Sequence, residues 1–245
     1  QAGIAVATEA GKHLKKCVLE LDGSNPFIVL EDANLEKAVA TAVKARMQNA
    51  GQSCIAAKRF LVHEKIVDEF VAKFKVAIQN LKTGNPLDKE TQIGSLARVD
   101  LAEELELQVQ KSIQMGAKLI VGGNGKDAFY EPTILTNVTT EMPVFKEETF
   151  GPVAAIITFK TIEEAIKLSN QSEFGLGVSI FTQDIDFIKT KIPSFNEGAF
   201  FINDMVKSDP RLPFGGIKKS GYGRELAEDG IKEFVNVKTV VINTL

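Results

Sequence analysis

Short apolar segments alternate with longer amphipathic ones along most of the chain, and this alternation constrains the fold more than any other feature. The short segments are typical of buried strands, and the longer ones carry apolar residues at helical spacing. Strands that alternate with helices pair mostly in parallel, so the pattern predicts an α/β domain with helices on both faces of a mostly parallel sheet. Strands are predicted at 17–21, 26–30, 59–63, 117–123, 152–159, 178–182 and 199–203. Helices are predicted at 1–16, 34–51, 64–81, 99–116, 161–171 and 184–192.

The helix predicted at 34–51 has a typical terminal residue at each end. Asn34 is a plausible N-cap, because its side-chain oxygen can accept a hydrogen bond from a free amide of the first turn. Gly51 is a plausible C-cap, because glycine adopts the left-handed conformation in which many helices end. The helix is therefore expected to end just before Cys54.

Composition and charge exclude several classes of protein. Of the 245 residues, 44% are hydrophobic and 25% are charged, as in ordinary globular domains. A net charge of −3 offers no excess of base for nucleic acid, and no apolar run approaches the ~18 residues of a membrane span. Two cysteines do not form a disulfide framework, so a cytoplasmic location is expected. The two histidines belong to no cluster with metal-ligand spacing, so no metal site is expected.

Cys54, in the stretch NAGQSCIAAKRF, has features of both a reactive and an inert thiol. It follows a helix end, where catalytic residues are common, and small neighbours leave room around its sulfur. Lys58 and Arg59 could favour its thiolate. A free cysteine is nevertheless often a quiet core residue, and no histidine base lies nearby in the sequence. Cys17 falls in a predicted buried strand and is expected to be inert.

A glycine-rich segment, PFGGIKKSGYGR, occupies residues 213–224. Glycine permits positive φ and close approach of other groups, so this segment suits either a long surface turn or the wall of a pocket. Composition alone does not favour one over the other. The spacing matches neither the phosphate-binding Walker A loop nor the dinucleotide-binding G-x-G-x-x-G turn.

Four motifs occur in order along the chain: LELDGSNPFIVLEDANLEKAV, NAGQSCIAAKRF, EETFGPV and LPFGGIKKSGYGRE. Together they resemble the aldehyde dehydrogenase superfamily, from about residue 2 to the end of the chain. The finer sequence around them is similar to the succinate-semialdehyde dehydrogenase branch. The resemblance implies an enzyme that uses NAD or NADP to oxidise a small-molecule aldehyde through a cysteine nucleophile.

The resemblance also implies roles for individual residues. Cys54 matches the nucleophile whose thiolate attacks the aldehyde carbon, with its backbone N–H as an oxyanion donor. Glu20 matches the general base that activates water to hydrolyse the resulting thioester. Glu148 and Phe150 match the residues that hold the nicotinamide ribose and flank the nicotinamide ring. Without the motifs, the two glutamates would be read as solvated acids and Phe150 as a core aromatic residue.

Two further positions match the substrate tunnel of the family. Ser208 and Phe214 correspond to residues that line it, and a serine there suits the distal carboxylate of a semialdehyde. Arg211 lies between them in the sequence, where a substrate contact and a surface role are equally plausible.

One departure from the family pattern concerns the base. The family has two glycines after Glu-Leu, whereas this chain has Asp22 before Gly23. An added carboxylate would disfavour negative charge on both Glu20 and Cys54, and a residue other than glycine could force an unfavourable backbone conformation. Catalytic competence is therefore in question at this position.

The other departure concerns extent. Residues 1–22 resemble the end of a cofactor-binding domain, 23–220 the catalytic domain, and 221–245 a carboxy-terminal helix and oligomerisation strand. The amino-terminal half of the family, which carries the Rossmann-type cofactor domain, has no counterpart in these residues. The chain alone is therefore expected to be inactive, and a homo-oligomer is expected for the full-length parent.

These observations favour an NAD(P)-dependent aldehyde dehydrogenase that converts succinate semialdehyde to succinate. Two alternatives stay open. One is a non-catalytic remnant or assembly module of the same fold, which Asp22 and the missing domain would favour. The other is an acylating relative that passes its thioester to coenzyme A, which Glu20 disfavours because that reaction needs no base for water.

Overall fold

A computed structural model describes residues 2–244 and contains one large sheet covered by helices. The strands are β1 (Leu19–Glu20), β2 (Asn25–Val29), β3 (Ala57–His63), β4 (Lys118–Val121), β5 (Gly125–Lys126), β6 (Phe129–Tyr130), β7 (Thr133–Thr136), β8 (Val153–Phe159), β9 (Phe174–Gly175), β10 (Val178–Phe181), β11 (Phe200–Ile202), β12 (Ile217–Lys218) and β13 (Gly221–Tyr222). The helices are α1 (Ala2–Lys12), α2 (Leu35–Met47), α3 (Val67–Gln79), α4 (Val99–Gln114), α5 (Pro143–Lys146), α6 (Ile162–Asn170), α7 (Ile185–Lys191) and α8 (Ala227–Glu233).

Seven strands form the main sheet in the order β11-β10-β2-β3-β8-β7-β4. All neighbouring pairs are parallel except β4 with β7. The central strands β2 and β3 are buried at every position, as expected for a sheet covered on both faces. The predicted fold class, an α/β domain with a mostly parallel sheet, is confirmed.

The helices follow from apolar spacing and end residues. In α3, Phe70, Phe74 and Ile78 recur every four residues and are the buried positions of the helix. In α2, the predicted N-cap is confirmed, because the Asn34 side chain accepts a hydrogen bond from the Lys37 amide at 3.0 Å. The predicted C-cap is wrong. The α-helix ends at Met47 with Gln48 as its C-cap, and Gly51 is the last residue of the 3₁₀ turn Gln48–Gly51 that follows.

Three loops lie side by side at one end of the main sheet. Because β2, β3 and β8 are parallel neighbours, the loops that enter them meet at the same edge of the sheet. The loop before β3 carries Cys54, the loop before β2 carries Gly23, and the loop before β8 carries Glu148 and Phe150. The candidate site therefore lies at the amino ends of the strands.

The two ends of the chain lie outside the main sheet. α1 and β1 precede it, and β1 pairs with β13 rather than with any strand of the main sheet. The carboxy-terminal helix occupies Ala227–Glu233 within the predicted 221–245 segment. Residues 236–244 form neither helix nor strand in this chain, so the predicted oligomerisation strand and the three domain boundaries stay predictions. Among residues 2–244, no helix is long and apolar enough to cross a bilayer.

Candidate active site

The loop before Cys54 has an unusual backbone. Asn49, Ala50 and Gly51 have φ values of 55°, 52° and 76°, so three consecutive residues lie in the left-handed region. This conformation is unfavourable for residues other than glycine and persists only where the surroundings enforce it. A Cβ on Gly51 would lie 2.3 Å from the carbonyl oxygen of Gly151, so only glycine fits this contact between the loops before β3 and β8.

Arg46 fixes the same loop from within the core. Its side chain is fully buried and donates to the carbonyl oxygens of Gly51 and Thr149, so one guanidinium joins the loop before Cys54 to the loop before β8. Burial lowers the pKa of Arg46 to about 9, and the negative charge of Glu148 opposes that shift. The group therefore contributes both hydrogen bonds and positive charge beneath the site.

Glu20 faces Cys54 across the site. It lies on β1, which pairs with β13 so that Glu20 is opposite Gly221. Burial, hydrogen bonding to Glu20 and the negative charge of Glu20 together raise the pKa of the Cys54 thiol to about 12. Burial also raises the pKa of Glu20, which hydrogen bonding to Cys54 partly offsets. A carboxyl group and a thiol that influence each other in this way are close enough to serve one reaction centre.

Glu148 and Lys58 form an ion pair beside the cysteine. The Lys58 ammonium group lies 2.7 Å from Glu148 Oε1, and the two side chains are 0% and 14% exposed. Lys58 also donates to the carbonyl oxygens of Ser53 and Cys54, at 2.9 and 3.0 Å. Its positive charge lowers the pKa of the Cys54 thiol, in opposition to Glu20.

Gly23 completes this side of the site. Its N–H donates to Glu148 Oε1 at 3.2 Å. A Cβ at this position would lie 2.6 Å from the carbonyl oxygen of Cys54, so the loop before β2 packs directly against the loop that carries Cys54. The close approach to the Cys54 carbonyl requires glycine, whereas the hydrogen bond to Glu148 requires only a backbone N–H.

The remaining predicted residues lie around the cysteine. Phe150 is 37% exposed, and its ring centroid is 5.9 Å from the Lys58 nitrogen. Phe214 is buried in a small apolar cluster against which Cys54 and Ile55 pack. Ser208 is exposed and lines a groove of about 510 Å³ that also reaches Ile55. The structure thus brings all six predicted site residues to one region.

The glycine-rich segment forms a wall of this site. Its strand β13 holds the strand that carries Glu20, and its Phe214 packs near Cys54. Gly221 has a φ of 108°, and a Cβ there would lie 1.9 Å from the Leu19 carbonyl oxygen. The choice left open by composition is therefore resolved in favour of a pocket wall.

Two expectations around the cysteines are corrected. Arg59 does not serve Cys54: it is fully buried and donates to the carbonyl oxygens of Ser24, Leu168 and Ser169. Strand residues alternate between faces, so Arg59 and Lys58 point to opposite sides of β3. Cys17 is half-buried and precedes β1, so its placement on a buried strand is wrong.

The structure also answers two questions that the sequence left open, namely the backbone conformation at Asp22 and the role of Arg211. Asp22 is not one of the non-glycine residues with positive φ among residues 2–244. The predicted backbone strain at Asp22 is therefore wrong. The Asp22 side chain is exposed, and its carbonyl oxygen accepts from Ser220 Oγ at 2.6 Å. Arg211 is exposed and pairs with its neighbour Asp209, which supports the surface role.

Comparison with known proteins gives one consistent family. Residues 1–240 match the model of the aldehyde dehydrogenase family. The chain is 51% identical over 243 residues to succinate semialdehyde dehydrogenase [NAD(P)+] from Escherichia coli, covering 98% of this chain and 53% of that protein. The chain thus spans about half the length of the curated relatives it matches.

Solved structures show the same relationship. Succinic semialdehyde dehydrogenase from Streptococcus pyogenes, in complex with NADP+, superposes with a TM-score of 0.95 at 39% identity, covering 99% of this chain and 54% of that one. Glyceraldehyde-3-phosphate dehydrogenase from Methanocaldococcus jannaschii, complexed with NADP, gives a TM-score of 0.95 at 41% identity, covering 99% and 53%. With the family match, these similarities establish that the chain belongs to the aldehyde dehydrogenase family.

Proposed function

We propose that this chain supplies the catalytic half of an NAD(P)-dependent aldehyde dehydrogenase that oxidises succinate semialdehyde to succinate. The observation that carries the proposal is the placement of Glu20 against Cys54, with Glu148 and Phe150 beside them. The names of the Escherichia coli and Streptococcus pyogenes relatives support the substrate. In this assignment Cys54 is the nucleophile and Glu20 the general base.

The first step is attack of the Cys54 thiolate on the aldehyde carbon, which forms a thiohemiacetal and places negative charge on the former carbonyl oxygen. Within residues 2–244 the Cys54 N–H has no intrachain acceptor, so it can donate to that oxygen. The high pKa of the thiol means that little thiolate exists at neutral pH. Lys58 favours the thiolate, and Glu20 disfavours it.

The residues near Cys54 fit the nicotinamide end of a dinucleotide. Both hydrogen bonds to the Glu148 carboxylate end on Oε1, so Oε2 is available to the hydroxyl groups of a ribose. Phe150 is partly exposed next to it and can pack against an aromatic ring. A nicotinamide held by Glu148 and Phe150 would supply the hydride acceptor needed to oxidise the Cys54 thiohemiacetal to a thioester.

The thioester must then be hydrolysed. The raised pKa of Glu20, which burial causes, brings it closer to the value at which a carboxylate is an effective base near neutral pH. The mutual pKa shifts of Glu20 and Cys54 support a carboxylate close enough to the sulfur to act on water that attacks the acyl carbon. Glu20 therefore takes the proton from water, and Cys54 leaves as thiolate.

The groove that contains Ser208 suits a substrate with a distal carboxylate. Three lysines line it, and a single acidic residue accompanies them: the lining includes Lys37, Lys44, Lys207 and Asp204, together with Ser208 and Ile55. Lys207 is paired with Asp204 at 2.6 Å, which leaves net positive charge on the other two lysines. A groove with this charge that opens beside the nucleophile favours anionic aldehydes over neutral ones.

The structure does not strengthen the alternatives. The non-catalytic remnant rested partly on Asp22, whose backbone is unstrained and whose side chain is exposed. The acylating relative remains disfavoured by Glu20, because that reaction needs no base for water. Assembly into a homo-oligomer and a cytoplasmic location stay predictions. The exposed apolar side chains of Val237, Val241 and Ile242 are consistent with a protein contact at the carboxy terminus.

A chimera tests the proposed function. This chain is joined to the amino-terminal half of the Escherichia coli relative, and kcat/KM is measured for succinate semialdehyde and for the neutral aldehyde butanal. We expect the semialdehyde to be preferred by about tenfold or more, and Lys44→Met to reduce the preference several-fold. Lys118→Met, on the distant edge strand β4, is the matched control. A folded chimera that oxidises neither aldehyde would contradict the proposal.

A further inference from the structure

Lys58 is unusual because it is a lysine with no solvent exposure and with all of its donors in use. It lies at the start of β3, and its side chain is 0% exposed. Its ammonium group donates to the carbonyl oxygens of Ser53 and Cys54 and to Oε1 of Glu148, at 2.9, 3.0 and 2.7 Å. A lysine has three donors, so this group is fully satisfied by groups of the site.

A fully buried lysine must be compensated by its partners. Burying a cation is unfavourable unless it is paired and hydrogen-bonded, and Lys58 is both. The two backbone carbonyls that it holds belong to the nucleophile and the residue before it. The third acceptor comes from a different loop, 90 positions away.

Glu148 is held by donors from two sides. The Gly23 N–H and the Lys58 ammonium group both bind Oε1, at 3.2 and 2.7 Å. These bonds fix the orientation of the carboxylate and direct Oε2 away from them. The same Gly23 packs on the Cys54 carbonyl oxygen, so Glu148, Lys58 and the nucleophile loop form one connected unit.

We propose that Lys58 is a positioning residue that ties the nucleophile loop to the Glu148 carboxylate, so that one buried ammonium group sets the place of both. It does not touch the reacting atoms. The Cys54 part of this inference stands without any cofactor, and the consequence for nicotinamide binding rests on the function proposed above.

The charge of Lys58 should make the reactivity of Cys54 depend on pH in a way that can be measured. The pKa of Lys58 is lowered to about 8, mainly by burial and also by the charge of Arg46, while Glu148 and Cys54 oppose the shift. Glu20 also interacts with Lys58, since the positive charge of Lys58 lowers the pKa of the Glu20 carboxyl. As pH rises through the Lys58 pKa, the positive charge that favours the Cys54 thiolate is lost. The fraction of Cys54 present as thiolate then stops rising with pH. It rises again at higher pH, where Cys54 is deprotonated in molecules whose Lys58 is already uncharged.

The test follows alkylation of Cys54 by iodoacetamide in the 245-residue chain, with peptide mapping, from pH 6.5 to 10. In the unsubstituted chain the logarithm of the rate should rise with a slope of one, level off near pH 8, and then rise again. Lys58→Met should give a single straight line and react about tenfold more slowly at pH 7. Lys58→Arg keeps a permanent charge, so it should react near the unsubstituted rate at pH 7 without levelling off.

Two further variants separate the link from a general structural effect. Glu148→Gln removes the charge that supports the protonated lysine, so the levelling should move to lower pH by about one unit. Lys118→Met, an exposed strand lysine on β4, should leave the whole profile unchanged. Far-ultraviolet circular dichroism establishes that each variant is folded.

A straight profile in the unsubstituted chain would overturn the proposal, as would a Lys58→Met variant with the unsubstituted rate and profile. An unchanged profile in Glu148→Gln would overturn the link between the two loops. None of these measurements requires aldehyde or dinucleotide. A failure here is therefore distinct from a failure of the proposed oxidation.

Discussion

Gly23 and Cys54 are in direct contact: a Cβ on Gly23 would lie 2.6 Å from the carbonyl oxygen of Cys54. The Gly23 N–H also binds Glu148, so the glycine touches both the nucleophile loop and its neighbouring acid. The obstructing atom is a backbone oxygen. A larger residue at position 23 would therefore fit only if the loop that carries Cys54 moved. The second glycine position of the family motif thus has a physical reason here, whereas Asp22 beside it is exposed.

Gly23→Ala is expected to displace the nucleophile loop. The added methyl group should destabilise the chain by about 1–3 kcal/mol, as overpacking usually does, and should change the rate at which Cys54 is alkylated. Urea unfolding and iodoacetamide kinetics measure the two effects. Gly11→Ala in α1 is the matched control, because nothing lies within 4 Å of a Cβ there and no loss of stability is expected. Equal stability of the two variants would refute the contact.

Cys54 should react slowly with iodoacetamide near neutral pH. Burial and Glu20 raise the pKa of its thiol, and the charge of Lys58 opposes that shift only in part. We therefore expect iodoacetamide to modify Cys54 at pH 7 more slowly than it modifies free cysteine. Cys17 is also a half-buried free thiol, so peptide mapping is needed to follow Cys54 separately. A Cys54 that reacted faster than free cysteine would contradict the raised pKa.

Glu20 should have opposite effects on thiol reactivity and on turnover. Its negative charge raises the pKa of Cys54, so Glu20→Gln should increase the thiolate fraction and speed alkylation of the isolated chain. The sign follows directly: removing a nearby negative charge favours the anionic sulfur. Alkylation rates at pH 8 check this, with Glu173→Gln, an exposed acid paired with Lys219, as the control. Slower alkylation in Glu20→Gln would show that the carboxylate activates the thiol instead.

The main features of the fold and site were predictable because they are local in the sequence. Apolar runs placed β2, β3 and β8 within a few residues, and Asn34 placed the start of α2. β7 was missed because Thr133–Thr136 is four residues long, with threonine at both ends and no apolar run. Its pairing with β4 is antiparallel, which the alternation of strands and helices could not indicate.

Features that depend on distant contacts were not predictable. The sequence around Lys58 and Arg59 suggested two similar cations, yet one faces Glu148 and the other faces the Ser169 carbonyl. Arg46 gave no sequence signal at all, because its acceptors lie in loops that only the folded sheet brings together. The position of Gly51 at the end of an apolar helix suggested a cap, but its role is the close contact with Gly151.

The isolated chain should bind NAD+ or NADP+ only weakly. Glu148 and Phe150 can contact the nicotinamide end, and the sequence has no G-x-G-x-x-G turn for the pyrophosphate. We therefore expect a Kd above about 1 mM by isothermal titration calorimetry. The chimera with the Escherichia coli amino-terminal half is the comparison and should bind far more tightly. Micromolar affinity in the isolated chain would count decisively against this assignment.

Cys54 is proposed to carry the acyl group, and Glu20 to activate the water that removes it. Rapid mixing of the Glu20→Gln chimera with NAD(P)+ and succinate semialdehyde tests both roles, with nicotinamide absorbance followed in time. We predict a burst of NAD(P)H near one equivalent per site, followed by steady turnover slowed by about 10²-fold or more, whereas Cys54→Ala should show neither phase. A Glu20→Gln variant that kept full steady turnover, or lost the burst while binding NAD(P)+ normally, would contradict the account.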